Sequence, residues 1–205
     1  MRYRSLTTET APAIEPVSVS EAKQHLRVDI DDDDTYIGSL ITAARKYAEE
    51  YLDRALVSQQ LTMRLDTFPY EFELPRPPMA TSGTLTATAI TYALDPGSAS
   101  TATPTTTTLS TSSYRVDRDD TPGRIRTVYN GTWPSHLTDP NAVTVTWWAG
   151  YGAAGSDVPQ AIRHAILMHV AHLYERRLAA DSQASNEVPF GVRALLDTCK
   201  WGSYA

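Results

Sequence analysis

The hydrophobic period of this chain changes twice, and those changes limit its possible folds more than any other feature. From about Asp33 to Leu52 the apolar residues Tyr36, Ile37, Leu40, Ile41, Ala44, Tyr47, Ala48, Tyr51 and Leu52 keep to one helical stripe. Arg45, Lys46, Glu49 and Glu50 fall on the other side. From Leu56 the period becomes two, with Leu61, Met63 and Leu65 predicted inward and Thr62, Arg64 and Asp66 outward. After Asp157 the helical period returns in Ile162, Ala165, Ile166, His169, Val170 and Leu173. This order predicts an α+β fold, a helical base with an inserted antiparallel β subdomain. The expected parts are a polar N-terminal arm at 1–17, a helical base at 18–55 and 156–180, a β subdomain at 56–155, and a C-terminal linker and docking segment at 181–205.

Local signals refine this plan. Ser18 and Glu21 have the spacing of a capping box, which predicts a short helix over about 19–27 with Ala22 and Leu26 on one face. The segments "LTMRLDTF", "EFELPRPPM", "TLTATAITYAL", "SYRVD", "RIRTVY" and "AVTVTWWAGYG" read as strands, with a turn at Pro122-Gly123. Residues 98–113 are Thr-rich and nearly uncharged, and read as a hairpin loop. Asp157 is the expected N-cap of the later helix, Pro159 suits its first turn, and Arg176 and Arg177 suit its C-terminal dipole. "FGVRALLDTCKW" reads as a last short helix.

Charge and composition narrow the function. The formal net charge of −6 disfavours gripping a phosphate backbone. The single cysteine, Cys199, excludes an intramolecular disulfide and a Cys-only zinc cage. No stretch reaches the roughly 18 apolar residues of a membrane span. The polar first residues lack a signal-peptide core, so synthesis and action in a cytoplasm are expected.

Asp29, Asp31 and Asp33 alternate like the start of a calcium loop, but its sixth and twelfth positions hold Asp34 and Leu40 instead of glycine and glutamate. The better reading is a helix start, with Asp32 or Asp33 capping and the other carboxylates favoured by the dipole. His164, His169 and His172 share one helix without zinc-pair spacing, so packing or an interface is expected. No Gly-x-Ser-x-Gly elbow, phosphate loop or dinucleotide fingerprint occurs. "WAGYGAAG" reads as a flexible connection from strand to helix. Trp133, Trp147, Trp148 and Tyr151 are candidates for a stacking platform, or for core and interface anchors. No catalytic, metal or cofactor site is expected.

The stretch "PVSVSEAKQHLRVDIDDDDTYIGSLITAARKYAEEYLDRAL" resembles the N-terminal region of the head–tail connector (adaptor) family of tailed phages and gene transfer agents. Glu21, Ala22, Lys23, His25, Leu26, Arg27, Val28 and Asp29 fit its pattern, as do Asp32, Asp33, Ile37, Leu40, Ile41, Ala43, Ala44 and Arg45. "ELPRPPM", "YRVD", "PGRI", "WP", "NAVTVTWWAGYG", "VPQAIRHAILMHVAHLYERR" and "VPFGVRALLD" follow in the family's order. The Thr-rich 98–113 departs from the family's shorter, more charged loop. The resemblance implies a virion protein of the particle neck, assembled in the host cytoplasm. It implies a ring of expected twelvefold symmetry under the portal, joined to a stopper or tail-completion protein. DNA would pass through its channel without specific binding, and no membrane is involved.

On this reading the two long helices supply subunit contacts through Arg45, Glu49, Arg163, His164 and Arg176. The C-terminal segment supplies portal docking through Phe190, Arg193, Leu195, Leu196, Trp201 and Tyr204. Its alternative is that 190–200 fold back onto the chain's own core. Two rival functions remain: a hydrolase or lyase whose site is assembled from distant residues, and a carbohydrate-binding β module using Trp147 and Trp148.

Overall fold

The computed structural model of the chain describes residues 3–80, 88–94, 105–176 and 188–200. The chain divides into two units, Met1–Pro12 with Ser58–Gly150, and Ala13–Val57 with Tyr151–Ala205.

The second unit is helical, and it starts where the capping box predicts. The Glu21 N–H donates to Ser18 Oγ at 3.2 Å, and the Ser18 N–H donates to the Glu21 carboxylate at 2.8 Å. These bonds satisfy free amides of the first turn of α1, Val19–Leu26. Arg27 ends it in the left-handed region, with φ 58°. α2, Asp34–Leu52, ends the same way at Asp53. α3 spans Gln160–Glu175 and α4 spans Phe190–Asp197.

The predicted stripes form the core of this unit. Ile37, Ile41, Ala44, Ala48 and Leu52 of α2 are buried with Ile162, Ala165, Ile166 and Val170 of α3 and with Val192 and Leu196 of α4. Burying a Leu or Ile side chain contributes roughly 1.5–3 kcal/mol, so this stripe holds the helices together. Where the sequence suggested an Asp157 cap, a 3₁₀ turn at Gly155–Asp157 precedes α3 and Pro159 takes the N-cap position. Asp157 instead accepts the Ala154 N–H at 2.9 Å. The glycine-rich connection is held rather than loose. The Tyr151 N–H donates to the Leu56 carbonyl at 2.9 Å. A Cβ on Gly155 would sit 2.9 Å from the carbonyl oxygens of Glu15 and Pro16, so no larger residue fits without a shift.

Among the described residues the first unit forms two antiparallel sheets. The larger has the order β1-β2-β8-β4-β5, built from β1 (Ser5–Thr10), β2 (Gln59–Leu65), β8 (Val143–Ala149), β4 (Ala89–Ala93) and β5 (Thr106–Thr108). The smaller is β3-β7-β6, from β3 (Glu71–Glu73), β7 (Arg124–Thr127) and β6 (Tyr114–Asp117). Leu61, Met63 and Leu65 face Trp147, Val145 and Val143 across the β2–β8 pair, and all six are buried.

Three expectations change here. The polar N-terminal stretch is not a free arm over its whole length, because Ser5–Thr10 pairs along β2. Thr62, expected outward, is buried and shares a hydrogen bond with Thr146 at 3.2 Å. β2 lies between β1 and β8, and its hydroxyl can be buried because Thr146 satisfies it. Within the Thr-rich 98–113, residues 106–108 form strand β5 on β4; residues 98–104 lie outside the described residues. Threonine is β-branched and suits an edge strand, which a reading from low complexity overlooks.

Candidate interface surfaces

The acidic run after α1 is held by protein partners. Lys23 Nζ lies 2.5 Å from Asp31 and 2.8 Å from Asp34. The Lys23 ammonium holds the Asp31 carboxyl below its usual range, and the hydrogen bond to Asp31 raises Lys23. Asp33 takes the N-cap position of α2, as expected, but makes no side-chain capping bond. It accepts a hydrogen bond from the Tyr174 hydroxyl of α3 instead. Asp29 and Asp32 stay exposed.

The five residues expected at subunit contacts separate into two groups. Arg45 and Glu49 are buried, at 6% and 4% exposure. Arg45 donates from Nε to Glu15 and from Nη1 to Glu49, each at 2.7 Å. The second Glu49 oxygen accepts the Leu56 N–H at 3.1 Å. Their i, i+4 spacing looks like a surface pair, but Glu15 and the Leu56 amide close over it. The structure therefore places both inside the helical unit and gives them no outward face.

Arg163 is half-buried, donating to the Glu21 carboxylate and to the Pro16 carbonyl at 3.0 Å. Hydrogen bonds from Ser18, with Arg163 adding to them, hold the Glu21 carboxyl below its usual range. His164 is exposed, with its ring 5.9 Å from that of His25. Arg176 is exposed at the end of α3. Sequence reasoning missed Glu15 and Tyr174. Neither carries a motif, and their partners lie 30 and 141 residues away.

His169 serves packing: it is buried, with its ring 4.8 Å edge-on to Tyr47. Its Nδ1 has no hydrogen-bond partner among the described residues. Burial, aided by the charge of His172, pushes its pKa down. A base whose folded pKa is depressed favours the neutral form in the folded state. Its stabilising effect is complete above the unfolded pKa of about 6.5 and fades as pH falls below that value. The helical unit should lose stability between pH 7 and pH 5, and His169→Leu should flatten that loss. Thermal melts across that range check this, and an equally steep loss in the variant would contradict it.

The C-terminal helix divides its residues between core and surface. Val192 and Leu196 are buried against the unit, as the fold-back alternative expects. Phe190 is 86% exposed, and Arg193 and Leu195 are half-buried. Trp201 and Tyr204 lie outside the described residues. In the sheet unit, Trp147 is fully buried while its neighbour Trp148 is half-buried. Consecutive strand residues point to opposite faces, so the two rings share no platform. Trp133 packs inward, stacked on Phe68 at 4.8 Å. The carbohydrate-binding reading, which needs exposed coplanar rings, is excluded for Trp147 and Trp148. Among the described residues no three His, Cys, Asp or Glu side chains gather as a metal site.

Residues 16–76 match the family described as "Phage gp6-like head-tail connector protein". Solved structures extend the likeness to nearly the whole chain. The neck of an empty gene-transfer-agent particle, computed with sixfold symmetry, matches at 26% identity and a TM-score of 0.73, over 96% of this chain and 95% of that one. A chain of the native gene-transfer-agent virion matches at 25% identity and 0.70, over 95% and 94%. The neck of the native particle, computed with twelvefold symmetry, matches at 26% and 0.67, over 96% and 94%. No curated protein sequence matches the chain.

Proposed function

We propose that this chain, a relative of the phage gp6-like head–tail connectors by its residues 16–76, is the adaptor of a phage or phage-like particle. Its role is that of a structural connector in a particle neck. Copies form a ring under the portal, join it to a stopper or tail-completion protein, and leave a channel for DNA. The observation that carries this reading is the match of both units, over 95% or more of the chain, to particle-neck and virion structures. A relative that shared only the helical unit would have supported the fold of that unit alone. The buried polar groups agree with a structural role. Arg45, Glu49 and His169 close the core of the helical unit through contacts with its own residues.

The test is deletion of the chain from its particle. DNA-filled heads without tails are expected, and complementation in trans should restore tails. Normal tailed particles without the chain would contradict the connector role.

Portal docking is assigned to the outer face of α4 and the residues after it. Phe190 is the exposed anchor, with Arg193 one turn along, while Leu195 packs in part against the helical core. Trp201 and Tyr204 remain candidates from the sequence. Phe190→Asp should lower portal attachment on the order of tenfold or more, with an unchanged circular dichroism spectrum. Leu196→Ala should instead destabilise the unit by roughly 2–5 kcal/mol. Attachment of Phe190→Asp at wild-type strength would remove Phe190 from the contact.

A further inference from the structure

The small sheet of the first unit presents two arginines that make no ion pair among the described residues. Its register sets two charged rows on one face. Glu73, Arg124 and Asp117 form one row, and Glu71, Arg126 and Arg115 form the next. The opposite face carries Phe72 and Ile125, both buried. Arg124 gathers the acids: Asp120 at 2.7 Å, Asp117 at 3.0 Å and Glu71 at 3.6 Å. Arg115 and Arg126 are left exposed and directly opposite each other, without an ion pair among the described residues. Directly opposed residues of a sheet lie about 5 Å apart, where like charges repel. Both arginines line a shallow cavity of about 250 Å³ on this face. Tyr70 and Tyr129, 85% and 88% exposed, stand beyond the end of the sheet nearest that row.

We propose that this face binds the acidic turn of a second copy of the chain, with Asp29 and Asp32 against Arg115 and Arg126. The proposal rests on the ring reading above and names one of its subunit contacts. Glu71 faces Arg126 across the β3–β7 pair but makes its ion pair with Arg124, which leaves the two guanidiniums to outside carboxylates, which arginine binds in a fork. The chain supplies such an acidic segment. Asp31 and Asp34 are taken by Lys23, and Asp33 accepts from Tyr174. Asp29 and Asp32 are exposed, with no side-chain partner among the described residues. Between them Ile30 is 59% exposed, an apolar counterpart for the two tyrosines. A ring contact joins two different patches of one chain, which this pairing provides. Duplex DNA fits the face less well. Glu73 and Asp117 stand in the neighbouring row of the sheet, and a continuous phosphate backbone, unlike two carboxylates, would extend past the arginine pair onto them.

The test is sedimentation equilibrium of the full chain at low ionic strength. Wild type should self-associate. R115E/R126E and D29K/D32K, all at exposed positions, should each weaken association on the order of tenfold or more. Mixed one to one, the two variants should associate again, because every contact then joins opposite charges. The neutral pair R115Q/R126Q serves if the reversal perturbs the sheet, and should weaken association too. A wild type that stays monomeric overturns the contact, while the ring itself is tested separately on the portal. Association unaffected by the reversals, or a mixture that remains dissociated, overturns it as well. Loss of duplex-DNA binding in R115E/R126E with self-association unchanged assigns the face to nucleic acid and overturns it.

Discussion

Arg45→Glu should unfold the helical unit. The guanidinium lies between Glu15 and Glu49, with bonds of 2.7 Å to each and a side chain only 8% exposed. Removing one partner of a buried pair typically costs 3–5 kcal/mol, because the other charge stays desolvated. The reversal does more, since it places a third carboxylate beside two others. Against a typical total stability of about 5–15 kcal/mol, the expected result is loss of helical circular dichroism or a sharply lowered melting temperature. Arg163→Glu is the contrast. Its side chain is 17% exposed and that of its partner Glu21 43%, so solvent screens the pair in part, and its loss with the bond to the Pro16 carbonyl should cost about 1–3 kcal/mol, less than the enclosed Arg45 network. A folded, thermally ordinary Arg45→Glu protein would contradict the burial of this network.

Trp147→Ala should cost the sheet unit roughly 3–5 kcal/mol, the range for an aromatic removed from a packed core. The ring is fully buried opposite Leu61, and its strand pairs with both β2 and β4. Trp148→Ala should cost a fraction of that, because its side chain is on the other face and half-buried. Chemical denaturation of both variants separates the two positions. Equal, small losses would mean that neither ring is core.

Much of this architecture is legible in the sequence because period is local. The stripe of α2 and the return of that stripe in α3 are set by residues three and four apart. The capping box of α1 is likewise contained in four residues. What escapes is set by distant partners. Nothing near Arg45 announces Glu15, so an i, i+4 pair that looks exposed turns out to be enclosed. Asp33 occupies the cap position that its neighbours predict, yet its carboxylate follows Tyr174, whose approach depends on packing of α3. β1 is polar and reads as an arm, because an edge strand gains its order from the backbone bonds of β2 rather than from its own side chains. The Arg115–Arg126 pair is equally hidden, since it depends on the register between β6 and β7.

The central claim is that copies of this chain close into a ring on a portal. Native mass spectrometry of the purified protein, alone and with the portal of its particle, tests it most directly. The account predicts a single closed oligomer on the portal, with a mass of twelve copies on a twelvefold portal. A chain that remains monomeric and unbound in the presence of portal would contradict it.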